Sequence, residues 1–389
     1  MNVLSLFDGM SCGQQALERS GFKIDNYFAS EIDKYAITVT MANYPETIQL
    51  GSVVNVNGFE LPKIDLLIGG SPCQSFSFAG KRKGMSTKCE TEILTLEHYL
   101  ELKNQGFEFE GQSYLFWEFI RLLNETKPKY FLLENVEMGE KWEKVLSRAI
   151  GVNGIHINSA LVSAQNRKRI YWTNIGMKPA GLFGDLESSI KQPKDKGILL
   201  KDILENYVSE KYFLSDKMIE SFNIKTKHFK DLGGGFCFKP SEGNNKGRTL
   251  TNPGKNRMDD NFIIHNTQPR SGDPKKGGTG HLTRTDGKTY CLDTGNSNAV
   301  EIKAIMLGRS EAWGMPENGA GKSYTFCKEQ PHGIKINNSR IRRLTPIECE
   351  RLQTVKDNYT NHVSDSQRYK MLGNGWTIDI ISHIFSYMK

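Results

Sequence analysis

The sequence predicts an α/β fold: a mostly parallel sheet with helices on both faces, joined to a smaller loop- and strand-rich segment. Three observations predict it. From residue 1 to about 176, short apolar strands alternate with helical stretches. Gly9, Glu31, Cys73 and Glu134 fall at or just past the carboxyl ends of those strands, where open α/β sheets bind ligands. Regular periodicity then disappears from about 177 to 338 and returns in the tail.

In order along the chain, "VLSLF" (3–7) reads as a strand and "SCGQQALERSG" as a helix closed by Gly21. "NYFASEI" (26–32) is the next strand, and the helix "KYAITVTMANYP" stops at Pro45. "DLLIGG" (65–70) is a third strand. In "SYLFWEFIRLLNETKP" (113–128), Leu115, Phe119, Leu122 and Leu123 line one helical face. "KYFLLEN" (129–135) and "KRIYWTNIG" (168–176) are further strands. In "TPIE" (345–348), Thr, Pro and Glu have the spacing of a capping box, and "WTIDIISHIFSYM" is a closing apolar helix. The expected division is residues 1–176, 177–338 and 339–389, with the last piece completing the first.

Of the 389 residues, 38 % are hydrophobic and 24 % charged, an ordinary globular composition. No apolar run approaches the roughly 18 residues of a membrane span, and "MNVLSLFDGM" lacks the basic start of a secretory signal. The net charge of +7 fits a nucleic-acid partner without requiring one. Seven cysteines without a C-x-x-C pair predict neither a disulfide framework nor a zinc site, and favour a reducing compartment. Between 225 and 300, Lys and Arg outnumber Asp and Glu by 13 to 7. That segment reads equally as a solvated insertion or as a nucleic-acid-reading surface. Within it, "GRTLTNPGKNRMDDNFI" and "GHLTRTDGKTYCLDTG" loosely repeat one another.

Four stretches carry chemistry. In "LFDGMSCG", Gly9 and Gly13 make a tight turn where a ligand could approach backbone amides. It is not G-x-G-x-x-G, so a dinucleotide pyrophosphate is disfavoured. Glu31, about twenty residues on, stands where a carboxylate accepts ribose hydroxyls. Cys73, behind "GGSP", reads alone as a packed thiol, a redox thiol, a metal ligand or a nucleophile. Glu134 in "LLENV" ends a buried strand, where a carboxylate is costly unless paired, used in proton transfer or capping a helix. Arg167 and Arg169 in "QNRKRIY" are placed to share one strand face and hold an oxygen, or to form a solvated basic run. "GAGKS" (319–323) lacks the preceding strand of a phosphate loop.

Taken in order, these stretches resemble the DNA (cytosine-5)-methyltransferase family, over residues 1–176 and 340–389. "LFDGMSCG" resembles its S-adenosylmethionine loop, "ASEID" its ribose-binding acidic motif and "GGSPCQSFS" its Pro-Cys nucleophile motif. "LLENV", "QNRKRIYWTNI", "RRLTPIECERLQTV" and "YKMLGNGWT" resemble four further motifs. The resemblance implies a Rossmann-like methyltransferase sheet and a target-recognition domain over 177–338. It implies Cys73, Glu134, Arg167 and Arg169 as catalytic residues, and a cofactor pocket lined by Phe7, Asp8, Gly9, Met10, Ser11, Gly13, Glu31, Ile32, Ser52, Val53, Asn374 and Trp376. Gln74 and Ser77 are implied as DNA contacts.

The implied reaction moves a methyl group from S-adenosylmethionine to C5 of a flipped-out cytosine in a specific sequence, through a Cys73–C6 adduct. Double-stranded DNA is the implied partner. The implied setting is a monomer in bacterial or phage-infected cytoplasm, with a cognate restriction endonuclease as candidate companion. Three departures stand out. Ser11 and Cys12 replace a glycine pair, as in the animal de novo branch; Ser52 replaces a frequent Asp; and residues 81–112 exceed the usual loop, reading as a lid with a helix near "ILTLEHYLELK". A transfer-RNA methyltransferase, a catalytically silent DNA-binding relative and a nicotinamide oxidoreductase are the alternatives. The long 177–338 segment, the complete set of four catalytic residues and the missing G-x-G-x-x-G argue against them in turn.

Overall fold

A computed structural model describes residues 1–72, 92–109, 111–180, 185–232, 237–241, 243, 245–250, 261–266, 301–306, 332–337 and 339–388. Two compact units are present.

The first comprises Met1–Leu199, Lys246–Asn256 and Pro346–Lys389. Its centre is a seven-stranded sheet of β1 (Asn2–Leu6), β2 (Asn26–Ser30), β3 (Ile48–Gln49), β4 (Leu66–Gly70), β5 (Tyr130–Val136), β6 (Ile155–Asn158) and β7 (Lys168–Thr173). The order across the sheet is β3-β2-β1-β4-β5-β7-β6. The central strands β1, β4 and β5 are near-continuous apolar runs and are buried, as expected for strands covered on both faces. The first five strands run parallel, whereas β7 runs antiparallel to both β5 and β6. That reversal has a chemical consequence: the start of β7 lies beside the end of β5, with Arg169 opposite Val136.

Helices α1 (Cys12–Arg19), α2 (Lys34–Asn43), α3 (Leu96–Asn104), α4 (Phe116–Thr126) and α5 (Glu140–Ile150) belong to this unit. The sequence reading missed β3, α5 and β6. Two residues of β3 carry no periodicity, and "IHIN" of β6 is too short to show any. Helix α5 was legible in principle, because Trp142, Leu146 and Ile150 recur at every fourth position and are buried. From the tail come α8 (Pro346–Leu352), α9 (Asp365–Asn374) and α10 (Ile378–Phe385). In α10, Ile378, Ile381, Ile384 and Phe385 are fully buried and the helix packs on α1. At about 1.5–3 kcal/mol per buried side chain, this seam fixes the tail to the first helix of the chain. Helix α8 starts at Pro346 as expected, and the Thr345 hydroxyl before it donates to Glu205.

The expected helix near "ILTLEHYLELK" is α3, and it is pinned down. The buried carboxylate of Glu118 on α4 accepts from Tyr99 Oη at 2.5 Å, Lys103 Nζ at 2.6 Å and Arg121 Nε at 2.7 Å. Phe109 stacks on Tyr114 beside it, ring centroids 4.5 Å apart. This part of the long insertion is therefore fixed to the catalytic unit. The preceding residues 73–91 lie outside the described part.

The second unit comprises Leu200–Asn245 and Arg257–Thr345. Among the described residues it holds the short helix α6 (Leu200–Ile203), a single 3-10 turn at Glu210–Tyr212 and the 16-residue helix α7 (Asp216–Asp231). Antiparallel strand pairs join Phe262–Asn266 to Ser339–Arg343 and Glu301–Met306 to His332–Asn337. Phe222, Phe238 and Phe262 form an aromatic cluster with centroids 5.3–5.7 Å apart. The repeated stretches of the sequence reading lie largely outside the described residues.

Candidate active site

The turn after β1 is built from alternating left-handed residues: Phe7, Gly9 and Ser11 have φ of 56°, 58° and 57°. Two of them are not glycine, and a side chain in this region is strained. A buried network holds them. Asp8 accepts from Ser11 Oγ at 2.5 Å and from Tyr27 Oη at 2.7 Å. Burial pushes the Asp8 carboxyl up to about 6, against the hydrogen bonds from Ser11, Ser5 and Tyr27, with Glu31 adding to the rise. Burial also pushes the Cys12 thiol up to about 12, so Cys12 is an inert packing residue. Met10 is buried and its carbonyl accepts from Tyr359 Oη at 2.8 Å. At Gly13 a Cβ would collide with Ile68 and stand 2.8 Å from Tyr27 Oη, so this glycine lets α1 close on β4.

Glu31, past the end of β2, holds the turn in place. Its Oε2 accepts from Gly9 N at 2.8 Å, and its Oε1 accepts from Ile32 N at 2.7 Å and Asp33 N at 2.8 Å. Oε1 is thereby saturated, and Oε2 keeps one lone pair for a ligand hydroxyl. Ile32 beside it is 71 % exposed, an apolar side chain left open next to a carboxylate. Nothing lies within 4 Å of where a Cβ on Gly9 would stand. Ser52 is half-buried and makes no cap hydrogen bond to the short helix that Val53 begins, and Val53 is buried. Open space over a glycine turn, a carboxylate oxygen open to a ribose hydroxyl, an apolar face and a hydroxyl fit a nucleoside-bearing cofactor without a pyrophosphate.

The Glu134 carboxylate, near the end of β5, is 8 % exposed. Arg169 Nε lies 3.0 Å from its Oε1, and Trp376 Nε1 donates to its Oε2 at 3.1 Å. Asn135, next on the strand, donates to Ser71 Oγ at 3.0 Å and so ties β5 to the segment leading into Cys73. Cys73, Gln74 and Ser77 themselves lie outside the described residues. Arg167 and Arg169 do different jobs. The Arg167 guanidinium is buried and donates to the main-chain carbonyls of Gly373 at 3.2 Å, Gly375 at 2.9 Å and Leu250 at 3.3 Å. The residue precedes β7, where its side chain meets the tail, whereas Arg169 lies on the strand beside β5.

Asn374 is exposed at the end of α9, and Trp376 is buried two residues later. A buried polar hub that the sequence reading missed fixes this stretch. Gln353 Nε2 donates to Leu372 O at 2.7 Å and Gly375 O at 3.2 Å, while its Oε1 accepts from Thr377 Oγ1 at 2.8 Å. Ser159 Oγ bonds Thr377 Oγ1 at 2.8 Å. Lys370 Nζ donates to Asp33 Oδ2 at 2.6 Å, tying α9 to the segment after Glu31. The signal for Gln353 was a lone amide inside the apolar stretch "RLQTV", which implies buried partners. Lys370 and Tyr359 gave none, because their partners stand more than three hundred residues away.

The assembled site thus offers a nucleoside pocket at the ends of β1 and β2 and a doubly held carboxylate at the end of β5. The family model "C-5 cytosine-specific DNA methylase" matches residues 1–389. The orphan methyltransferase M.SPRI of Bacillus phage SPR is 28 % identical, over 99 % of this chain and 96 % of that protein. The type II methyltransferase M.HgiCI of Herpetosiphon aurantiacus is 26 % identical, over 97 % of this chain and 94 % of that one. Among solved structures, a Spodoptera frugiperda DNMT2 variant matches with a TM-score of 0.56 at 20 % identity, over 99 % of this chain and 98 % of that one. The Entamoeba histolytica methyltransferase EhMeth matches with a TM-score of 0.55 at 15 % identity, over 100 % and 97 % of the two chains, and both likenesses bear on the fold alone. The family match runs the whole length of the sequence: this chain belongs to the C-5 cytosine-specific DNA methylase family and is a DNA (cytosine-5)-methyltransferase that uses S-adenosylmethionine.

Proposed function

We propose that the chain methylates a flipped-out cytosine within a specific duplex sequence, through a covalent bond between Cys73 and C6. The observation that carries this reading is the Glu134 carboxyl group, held by Arg169 and Trp376 at the sheet end and tied through Asn135 to the segment leading into Cys73. Cytosine C5 is a poor nucleophile within an aromatic ring. Addition of the Cys73 thiolate to C6 forms the S–C bond and moves the C5–C6 π pair onto C5. Glu134 donates a hydrogen bond or proton at N3, so that negative charge does not build on the ring. Arg169 faces O2, and Arg167 orders the site by holding the Gly373–Gly375 main chain. Bound S-adenosylmethionine supplies an electrophilic methyl group, and the residues that would hold it are Phe7, Asp8, Gly9, Met10, Ser11, Gly13, Glu31, Ile32, Ser52, Val53, Asn374 and Trp376. After methylation a base removes the C5 proton, and that electron pair expels the thiolate. A stacked base cannot reach such a site, so the target swings out at a cost of a few kcal/mol.

Gln74 and Ser77 are proposed to hold the strand's phosphates, and the basic 177–338 segment to read the target. The methyltransferase names of phage and bacterial relatives support action on DNA, and the chain is proposed to work as a monomer in bacterial or phage-infected cytoplasm. The central test is transfer of tritiated methyl to duplex DNA. Cys73→Ala is expected to abolish it, and a fluorocytosine duplex to trap a covalent complex; methylation by the Ala variant would overturn the adduct. Greater transfer to total tRNA than to duplex DNA would overturn the substrate assignment. Exchange of 177–338 with a relative's segment should move the methylated sequence, as read by bisulfite sequencing.

A further inference from the structure

We infer that Trp376 is a positioning residue for Glu134: its indole N–H fixes the plane of the carboxyl group that meets the target base. The inference rests on the role proposed above for Glu134. Trp376 Nε1 donates to Glu134 Oε2 at 3.1 Å, while Arg169 Nε takes the other oxygen at 3.0 Å. Two donors on different oxygens leave the carboxyl group no free rotation about its last bond. The indole is a neutral donor, so it adds direction without adding charge.

The surroundings are shaped for this contact. At Gly70 a Cβ would stand 2.9 Å from Trp376 Nε1 and 3.2 Å from Glu134 Oε2, so only a glycine lets the two side chains meet over β4. The main chain that carries Trp376 is held from three directions. Gly375 O accepts from Arg167 Nη2 at 2.9 Å and from Gln353 Nε2 at 3.2 Å, and Trp376 O faces Cys12 Sγ at 3.9 Å. The sequence reading assigned Trp376 to the cofactor pocket alone, whereas its one polar atom is directed at Glu134.

The test compares kcat with KM for S-adenosylmethionine in the full-length enzyme. Trp376→Phe removes the N–H and part of the ring. Incorporation of 3-benzothienylalanine at 376 keeps the bicyclic shape and replaces N–H by sulfur, which separates the hydrogen bond from packing. For the benzothienyl variant, kcat is expected to fall about tenfold with KM for S-adenosylmethionine within about twofold; Trp376→Phe is expected to lose kcat to the same extent and, because it also trims the ring, to raise that KM. In a Glu134→Asp background, where the shortened carboxylate no longer reaches the indole, Trp376→Phe should change kcat less than about twofold. The inference is overturned if the benzothienyl variant keeps kcat within about twofold, if its loss appears in KM for S-adenosylmethionine instead of kcat, or if the Trp376 and Glu134 losses multiply. Glu134→Ala distinguishes the two levels: full turnover by that variant overturns the proposed role of Glu134 itself, whatever Trp376 does.

Discussion

Replacing Asp8 with Asn should remove a pH-dependent component of stability whose size follows from the burial of that carboxyl group. Asp8 lies buried within the turn after β1, with Ser11, Tyr27 and Ser5 as its hydrogen-bonding neighbours among the described residues. Its pKa rises from 3.8 to about 6, chiefly through burial. The folded protein therefore binds this proton more tightly than the unfolded chain does. The resulting stabilisation is present at low pH and is lost as pH rises through about 4 to 6. Fully developed, the difference is about 3 kcal/mol at 1.36 kcal/mol per pH unit. Between about pH 7.5 and about pH 5 the linkage relation gives about 1.4 kcal/mol. Asn has the same shape and does not titrate. Urea unfolding of both proteins at the two pH values isolates the group, because every other carboxylate cancels in the difference. Wild type should gain about 1.4 kcal/mol on the Asn variant on going to the lower pH. Parallel pH dependences would refute the buried environment assigned to Asp8.

Three further outcomes follow from the packing. Gly70→Ala forces a methyl group between Trp376 and Glu134, and overpacking should cost about 1–3 kcal/mol together with most of the turnover; unchanged melting and kcat would contradict the contact. Arg368→Met leaves the fully buried Glu350 carboxylate without its cation, although Thr360 and Asn358 still donate to it. The loss should be about 3 kcal/mol in denaturant melts, and a change under about 1 kcal/mol would show the pair to be dispensable. Tyr359→Phe deletes the hydrogen bond to Met10 O. It should cost about 1 kcal/mol and raise KM for S-adenosylmethionine more than it lowers kcat; the reverse split would show that Tyr359 does not act through the cofactor turn.

Much of this arrangement was legible because it is local. The strand-turn-helix of "VLSLFDGMSCG", the acidic end of β2 and the Glu at the end of β5 each announce themselves within about ten residues by alternation, glycine placement and a polar group at a strand end. The direction of β7 was not legible, because strand periodicity is the same for either direction and only its pairings with β5 and β6 settle it. The partners of Arg167 were hidden for a related reason. A spacing of two predicts a shared strand face, but Arg167 precedes the strand and meets carbonyls contributed by the tail. Glu118 went unnoticed because one carboxylate in an amphipathic helix looks solvated until Tyr99, Lys103 and Arg121 converge on it.

The docking of the tail also sets a clock for biosynthesis. Met10 and Glu134 acquire their partners Tyr359 and Trp376 only after the ribosome has made everything in between. At about 5–20 residues per second, the sheet waits roughly 10–40 s between the emergence of β7 and that of Trp376. Throughout that interval the nascent chain carries a β1 turn without its Tyr359 partner and a Glu134 carboxylate lacking one of its two donors. A ribosome that stalls before Tyr359 therefore releases a chain without either contact, and such a chain is expected to transfer no methyl group; only chains translated through Trp376 carry both.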